Sequence, residues 1–157
     1  DLGALAERCE LTIEMGRFFA SECGAYLTRV IDTKVNCGTA YAILDGGIHH
    51  VNYLGGNMGM RVPIIRQSSV REGEMQPWAL CGSLCTTADV LVRKAELHPL
   101  DQGDILAFMN IGAYSVTEGP ALFLSRDMPS IILHGKGGDR LARGAVHSWE
   151  LNHEGER

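Results

Sequence analysis

The sequence predicts a mainly β fold, a Greek-key-like antiparallel β-barrel, and three observations lead there. Glycine is abundant, 19 of 157 residues, and the apolar residues, 45% of the chain, fall in short runs rather than long helical repeats. Turn-forming clusters separate those runs: Asn36-Cys37-Gly38, Asp45-Gly46-Gly47, Gln102-Gly103-Asp104 and Gly135-Lys136-Gly137-Gly138. The runs number about seven to nine, which suits closure into a barrel that leaves few exposed edges.

Residues 2–9 read as a short helix, with Leu2, Leu5 and Ala6 on one face. Leu11-Thr12-Ile13 reads as a short strand running toward Gly16. Residues 18–35 read as an extended segment bent near Gly24. A buried strand follows over 39–44, then a glycine-rich loop at 55–59. Residues 61–66 form a further strand, placed at an edge by Pro63, which has no N–H for a ladder. Trp78 to Leu84 is a strand, and 87–93 opens a short helix capped by Thr86 or Thr87. Strands at 105–109, 129–134 and 141–151 complete the fold. No internal repeat or low-complexity tract interrupts it.

The net charge of −5 argues against nucleic acid, which needs a basic face. No basic cluster suits an acidic membrane surface, and no apolar run approaches the roughly 20 residues needed to span a bilayer. Five cysteines, an odd number, with no signal peptide ahead of them, are read as reduced thiols of a cytoplasmic protein. The chain opens at Asp1 without an initiator Met, and is read as a piece of a longer protein.

Four constellations carry chemistry. Glu14-Met15-Gly16-Arg17 sets a carboxylate and a guanidinium about a glycine, which suits an anion such as a phosphate as well as a surface ion pair at a strand end. Cys85-Thr86-Thr87-Ala88-Asp89 places a thiol after an apolar run, with a carboxylate four positions on. It reads either as a general acid or as a buried structural thiol. Gly112-Ala113-Tyr114-Ser115 presents a phenol at a strand end. Ile48-His49-His50 places two imidazoles on opposite faces of a strand, so that one at most enters a pocket. A zinc set from Cys81, Cys85, His49 and His50 lacks a second tight pair of ligands, so no metal site is expected.

In this order, Glu14-x-Gly16-Arg17, Gly82-Ser83-Leu84-Cys85 and Gly112-Ala113-Tyr114 resemble the C-terminal part of pyridoxal-phosphate-dependent decarboxylases of the diaminopimelate/ornithine/arginine decarboxylase family (fold type III). The resemblance covers about residues 10–134. It implies an alanine racemase C-terminal-like barrel over 18–157, with residues 1–17 the helix and last strand of a preceding α/β-barrel. The lysine that holds pyridoxal 5'-phosphate as a Schiff base would lie in that preceding domain, so this piece alone would be inactive. By resemblance Glu14 contacts the cofactor's ring nitrogen, Gly16, Arg17 and Tyr114 its phosphate, and Cys85, entering the site of the other subunit of a homodimer, returns a proton after carbon dioxide leaves.

The chain departs from the family's pattern at Met15 and Ser83, where prolines are usual, and at Thr86. There an acidic residue ordinarily meets the distal amine of a diamino acid. A hydroxyl cannot offset a buried ammonium. A substrate without a distal cation is therefore expected, recognised by Thr86, Asp89 and His49. Asp89 serves equally as a first-turn helix carboxylate. The His-His pair and Cys-Thr step are similar to the branch acting on aminoacyl groups tethered to acyl carrier protein. A related amino-acid racemase or a non-catalytic β-barrel binding module are the alternatives.

Overall fold

A computed structural model describes residues 2–52 and 63–152. Among these described residues, eight strands follow a short helix α1 (Leu2–Ala6): β1 (Ala25–Asn36), β2 (Thr39–Leu44), β3 (Ile65–Gln67), β4 (Gln76–Cys81), β5 (Val90–Leu97), β6 (Ile105–Met109), β7 (Ile131–Gly135) and β8 (Gly138–Arg143). The first six form one curled sheet in the order β3-β6-β1-β2-β4-β5, and β7 and β8 form a separate hairpin.

The curl comes from β1, which at 12 residues is long enough to serve two neighbours. Its first half, from Ala25 to Arg29, pairs with β6, and its second half, from Val30 to Asn36, pairs with β2. A bulge between Val30 and Asp32 separates the halves, and bulges bend and twist a strand. The β1–β2 hairpin closes over Cys37 and Gly38, both at positive φ (48° and 77°), the twist-matched geometry of a two-residue hairpin loop.

Pairing is antiparallel except between β2 and β4, which run parallel because the chain visits the far edge at β3 between them. Among the described residues β3 and β5 do not pair as strands. The Gln67 side chain joins those edges instead: its Oε1 accepts from the His98 N–H (3.1 Å) and its Nε2 donates to the His98 carbonyl (3.3 Å). A side-chain amide thus stands where a ladder rung would close the barrel. Val30, Leu44, Leu80, Leu91, Leu106 and Phe108 fill the interior, one or two from each of β1, β2, β4, β5 and β6.

Several elements differ from expectation. Residues 10–15 form neither strand nor helix, and Gly16–Phe19 and Ser21–Cys23 are 3-10 turns, so the extended segment begins only at Ala25, just past the bend expected at Gly24. No helix forms over 87–93: Val90, Leu91 and Val92 join β5, where β-branched residues suit a ladder against β4. The strand expected over 78–84 stops at Cys81, and that expected over 141–151 stops at Arg143, followed by a 3-10 turn at Ser148–Asn152. The glycine-rich loop at 55–59 lies outside the described residues, as does the start of the strand expected at 61–66. Its described part, β3, is an edge strand as Pro63 suggested. No described helix is long and apolar enough to cross a membrane.

Candidate active-site residues

Arg17 is the centre of the first cluster. Gly16 stands at φ 52° and starts the 3-10 turn that projects Arg17 toward the segment after β6. Gly112 lets the two segments meet: a Cβ there would run into the carbonyl of Ala20, and the Gly112 N–H donates to Ser21 (3.0 Å). The guanidinium donates to the Ala113 carbonyl (3.1 Å), to Ser115 Oγ (3.2 Å) and to Glu118 Oε2 (2.7 Å), and lies 5.2 Å from the centre of the Tyr114 ring. Ala113 and Tyr114 sit at φ 49° and 58°. Two successive non-glycine residues in the left-handed region cost on the order of 1–2 kcal/mol each, and such strain clusters at functional sites. The turn leaves the Tyr114 ring 55% exposed beside Arg17.

The structure therefore brings Gly16, Arg17 and Tyr114 together and leaves Glu14 exposed in the irregular stretch before them. Sequence reasoning missed Glu118 and treated Ser115 as structural. The available signal was that a half-buried guanidinium needs an anion, and Glu118 follows Tyr114 by one turn of chain.

The second cluster is the loop 82–89 between β4 and β5. Asp89, 2% exposed, holds it: Oδ2 accepts the Leu84 N–H (2.8 Å) and Oδ1 accepts the Ile48 N–H (2.9 Å). Gly47 and Gly82 pack against this carboxylate so closely that a Cβ on either would collide with it. Ser83 adds a backbone bond to Gly46 (2.9 Å) and accepts from Arg126 (2.7 Å) while donating to the Asp45 carbonyl (3.1 Å). Cys85 stands exposed at the tip, and Thr86, half-buried, accepts the Ala88 N–H at Oγ1 (3.2 Å). Asp89 thus occupies neither a helix first turn nor an open surface. Cys81, by contrast, is half-buried, and burial pushes its thiol pKa up.

The two histidines lie on a turn, not a strand, and their rings meet at a tilt of 51° with centres 4.1 Å apart instead of facing away from each other. His50 Nε2 lies 3.0 Å from the Asp127 carbonyl, which can only accept, so Nε2 carries the proton. Nδ1 is then left to accept from the Tyr26 hydroxyl at 2.9 Å. Burial raises the Tyr26 pKa, which keeps that donor protonated. His49 is 2% exposed, and its Nδ1 has no hydrogen-bond partner among the described residues. Burial first, then His50 and Arg126, lower its pKa to about 4, so it is neutral near pH 7. Both rings line a cavity of about 310 Å³ with Arg126 and Asp127.

A family model described as "Pyridoxal-dependent decarboxylase, C-terminal sheet domain" matches residues 17–112. The chain belongs to that family. It is 32% identical over 138 residues to the L-glutamyl-[BtrI acyl-carrier protein] decarboxylase of Niallia circulans, covering 83% of this chain and 32% of that protein. It is 30% identical to the 2-[(L-alanin-3-ylcarbamoyl)methyl]-2-hydroxybutanedioate decarboxylase of Staphylococcus aureus, covering 80% of this chain and 33% of that one. Among solved structures, the diaminopimelate decarboxylase of Helicobacter pylori complexed with L-lysine superposes with a TM-score of 0.78 at 26% identity, covering 96% of this chain and 37% of that one. The chain spans about a third of the length of these relatives.

The donors gathered at Arg17 fit the phosphate of pyridoxal phosphate. A guanidinium fork, a phenol and a glycine backbone are phosphate-binding groups, and Glu118 already places an anion on Arg17.

Proposed function

We propose that the whole protein is a pyridoxal-phosphate-dependent carboxy-lyase acting on an amino acid, or an aminoacyl group on a carrier protein, whose far end bears no cation. One observation carries the proposal: Cys85 and Thr86 stand at the tip of a loop whose base is pinned by a buried carboxylate. The two similar curated decarboxylases support it, since their named substrates are a glutamyl group and a hydroxybutanedioate.

In this reading residues 1–17 end a preceding domain that carries the cofactor lysine, and 18–157 form the sheet domain. Arg17 holds the cofactor phosphate with its guanidinium fork, Tyr114 donates its phenolic hydroxyl to the same group, and Gly16 brings its backbone close. Glu14 faces the ring nitrogen once the preceding domain is in place. When bound, pyridoxal phosphate supplies the sink for the electron pair left as carbon dioxide departs. Cys85 then delivers the proton from Sγ to the α-carbon, acting as general acid. Among the described residues no hydrogen bond joins Cys85 or Thr86 to the Arg17 cluster, which suits a homodimer in which each Cys85 serves the partner's site. Thr86 meets the far end of the substrate without offering a carboxylate to an ammonium. His49, neutral, lines the cavity beside the same loop. Asp89 acts through the backbone, fixing where Cys85 stands.

The test is carbon dioxide release by the full-length protein from lysine, ornithine, arginine, diaminopimelate, glutamate and glutamyl carrier protein. The expected result is release from glutamate or its carrier-bound form, reduced on the order of 100-fold or more in Cys85→Ala. Bound cofactor with release only from diamino acids would refute the Thr86 argument, and no bound cofactor would refute the whole assignment.

A further inference from the structure

A groove of about 550 Å³ runs along the outer face of the sheet, under the 82–89 loop. The bulge in β1 creates it. Past Val30 the strand's parity shifts, so that Lys34 pairs with Tyr41 on β2, and Tyr41 with Ala79 on β4. The small side chains of Ala79 and Cys81 leave the floor deep, the Tyr41 ring walls one side 5.8 Å from Lys34 Nζ, and Arg93 of β5 closes the other.

Two cations line this groove, Lys34 and Arg93. Neither forms an ion pair among the described residues, although Lys94 beside Arg93 pairs with Glu96 (3.5 Å). Asn36, Thr39, Thr86 and Thr87 add neutral donors around them. One carboxylate, Asp89, reaches the lining, and both its oxygens are taken by the backbone N–H groups of Leu84 and Ile48. The groove therefore offers two positive charges and several hydroxyls against the single negative charge of Asp89, which is buried and turned toward the backbone N–H groups of Leu84 and Ile48, and its volume falls in the range of small-molecule sites.

We propose that this groove binds an oxyanion of the substrate, a phosphate or carboxylate remote from the reacting carbon, and so selects substrates that carry one. The identification of that anion as part of the substrate rests on the decarboxylase reading, because the groove shares Thr86 with the loop that presents Cys85. The anion chemistry itself does not. The phosphodiester of a carrier protein's pantetheine arm and the side-chain carboxylate of a glutamyl group are the two sources that this chemistry admits.

The experiment is calorimetric titration of the full-length protein, saturated with pyridoxal phosphate so that Arg17 is occupied, with 4'-phosphopantetheine, pantetheine and glutarate. Phosphopantetheine or glutarate binds, and pantetheine does not bind to the same degree. Lys34→Gln and Arg93→Gln each weaken binding by about three- to tenfold, Lys34→Arg retains it, and affinity falls with added salt. Binding of phosphopantetheine alone identifies the tethering arm, and binding of glutarate alone the side-chain carboxylate. Affinities unchanged in both glutamine variants, or no binding of either anion, overturn the proposal. Since the titration reads binding only, anion binding that weakens in Lys34→Gln and Arg93→Gln of a protein that takes up no cofactor sinks the decarboxylase reading and keeps the groove.

Discussion

Replacing Asp89 by Asn separates the two roles open to this residue, recognition of substrate and support of the loop. The carboxylate is 2% exposed and accepts two backbone N–H groups, from Leu84 at 2.8 Å and Ile48 at 2.9 Å. Hydrogen bonds to a charged group contribute about 1.5–3 kcal/mol each. Asparagine keeps one acceptor but turns an NH2 toward the other N–H, so one bond is lost and two donors face each other in a buried space. The expected cost is about 3 kcal/mol, or a fall of roughly 6–12 °C in the melting temperature of the transition in which this domain unfolds. Thermal unfolding of the full-length protein measures it, and amide exchange locates it: protection falls at Leu84 and Ile48 first. Gly82→Ala supplies an independent check, because its methyl would strike the Asp89 carboxylate. That substitution is costly in the native background and much less so beside Asp89→Ala, which makes room for the methyl, so the two effects are strongly non-additive. A stability change below about 0.5 kcal/mol in Asp89→Asn, within the range of an ordinary surface substitution, together with a large rise in KM, would refute the supporting role and restore Asp89 as a substrate contact.

Two further outcomes follow from the same contacts. Glu118 competes for Arg17 with any phosphate, so Glu118→Gln is expected to tighten cofactor binding by about three- to tenfold, and Arg17→Lys, which lacks the fork, to weaken it by about tenfold, both read by equilibrium dialysis of pyridoxal phosphate. His49 has a folded pKa near 4 against an ordinary value of 6.5, so between those values the unfolded chain binds more protons, and stability falls as the pH drops from about 6.5 toward 4, at most about 1.4 kcal/mol per pH unit. Denaturant midpoints across pH 4–7 check this, and His49→Gln flattens the profile.

What the sequence made legible was local or periodic. The Cys37-Gly38 turn and the buried runs at β2 and β6 follow from turn chemistry and alternation within a few residues. Arg17 beside Tyr114 was reached through a resemblance, not through periodicity, since 96 residues separate Arg17 from the Ala113 carbonyl it grips. Contacts of that span leave no trace in spacing. Asp89 shows this most clearly. Read locally, a carboxylate three residues after Thr86 suits a helix start, and Val90-Leu91-Val92 alone does not say whether they continue it. The deciding partner, Ile48, lies 41 residues upstream, and of the glycines that make room for the carboxylate Gly47 reads as an ordinary turn residue and Gly82 as part of the 78–84 strand until the strands are assembled. The adjacent histidines misled for the same reason: alternation assigns opposite faces on a strand, but the Tyr26 hydroxyl and the Asp127 carbonyl hold His50 on a turn, where both rings meet.

In the proposed reaction, the pinned loop accounts for how an exposed thiol would be placed as the acid. A side chain at a loop tip ordinarily samples several positions, and a proton donor displaced by even 1 Å loses much of its effect. Here the residues before and after Cys85 are fixed. Leu84 is held by Asp89, Ser83 by Gly46 and Arg126, and Thr86 by a turn back to Leu84 and Ala88. The loop backbone on either side of Cys85 is thus tied to the core through β4, β5 and the 45–48 turn, and the Cys85 side chain stands exposed. Rigid support beneath an accessible reactive group is what a site completed by a second surface requires, because the thiol must be exposed before that surface arrives and correctly aimed when it does. Asp89 links the two demands: burying one charge, at a cost offset by two backbone donors, leaves the tip free of any structural duty.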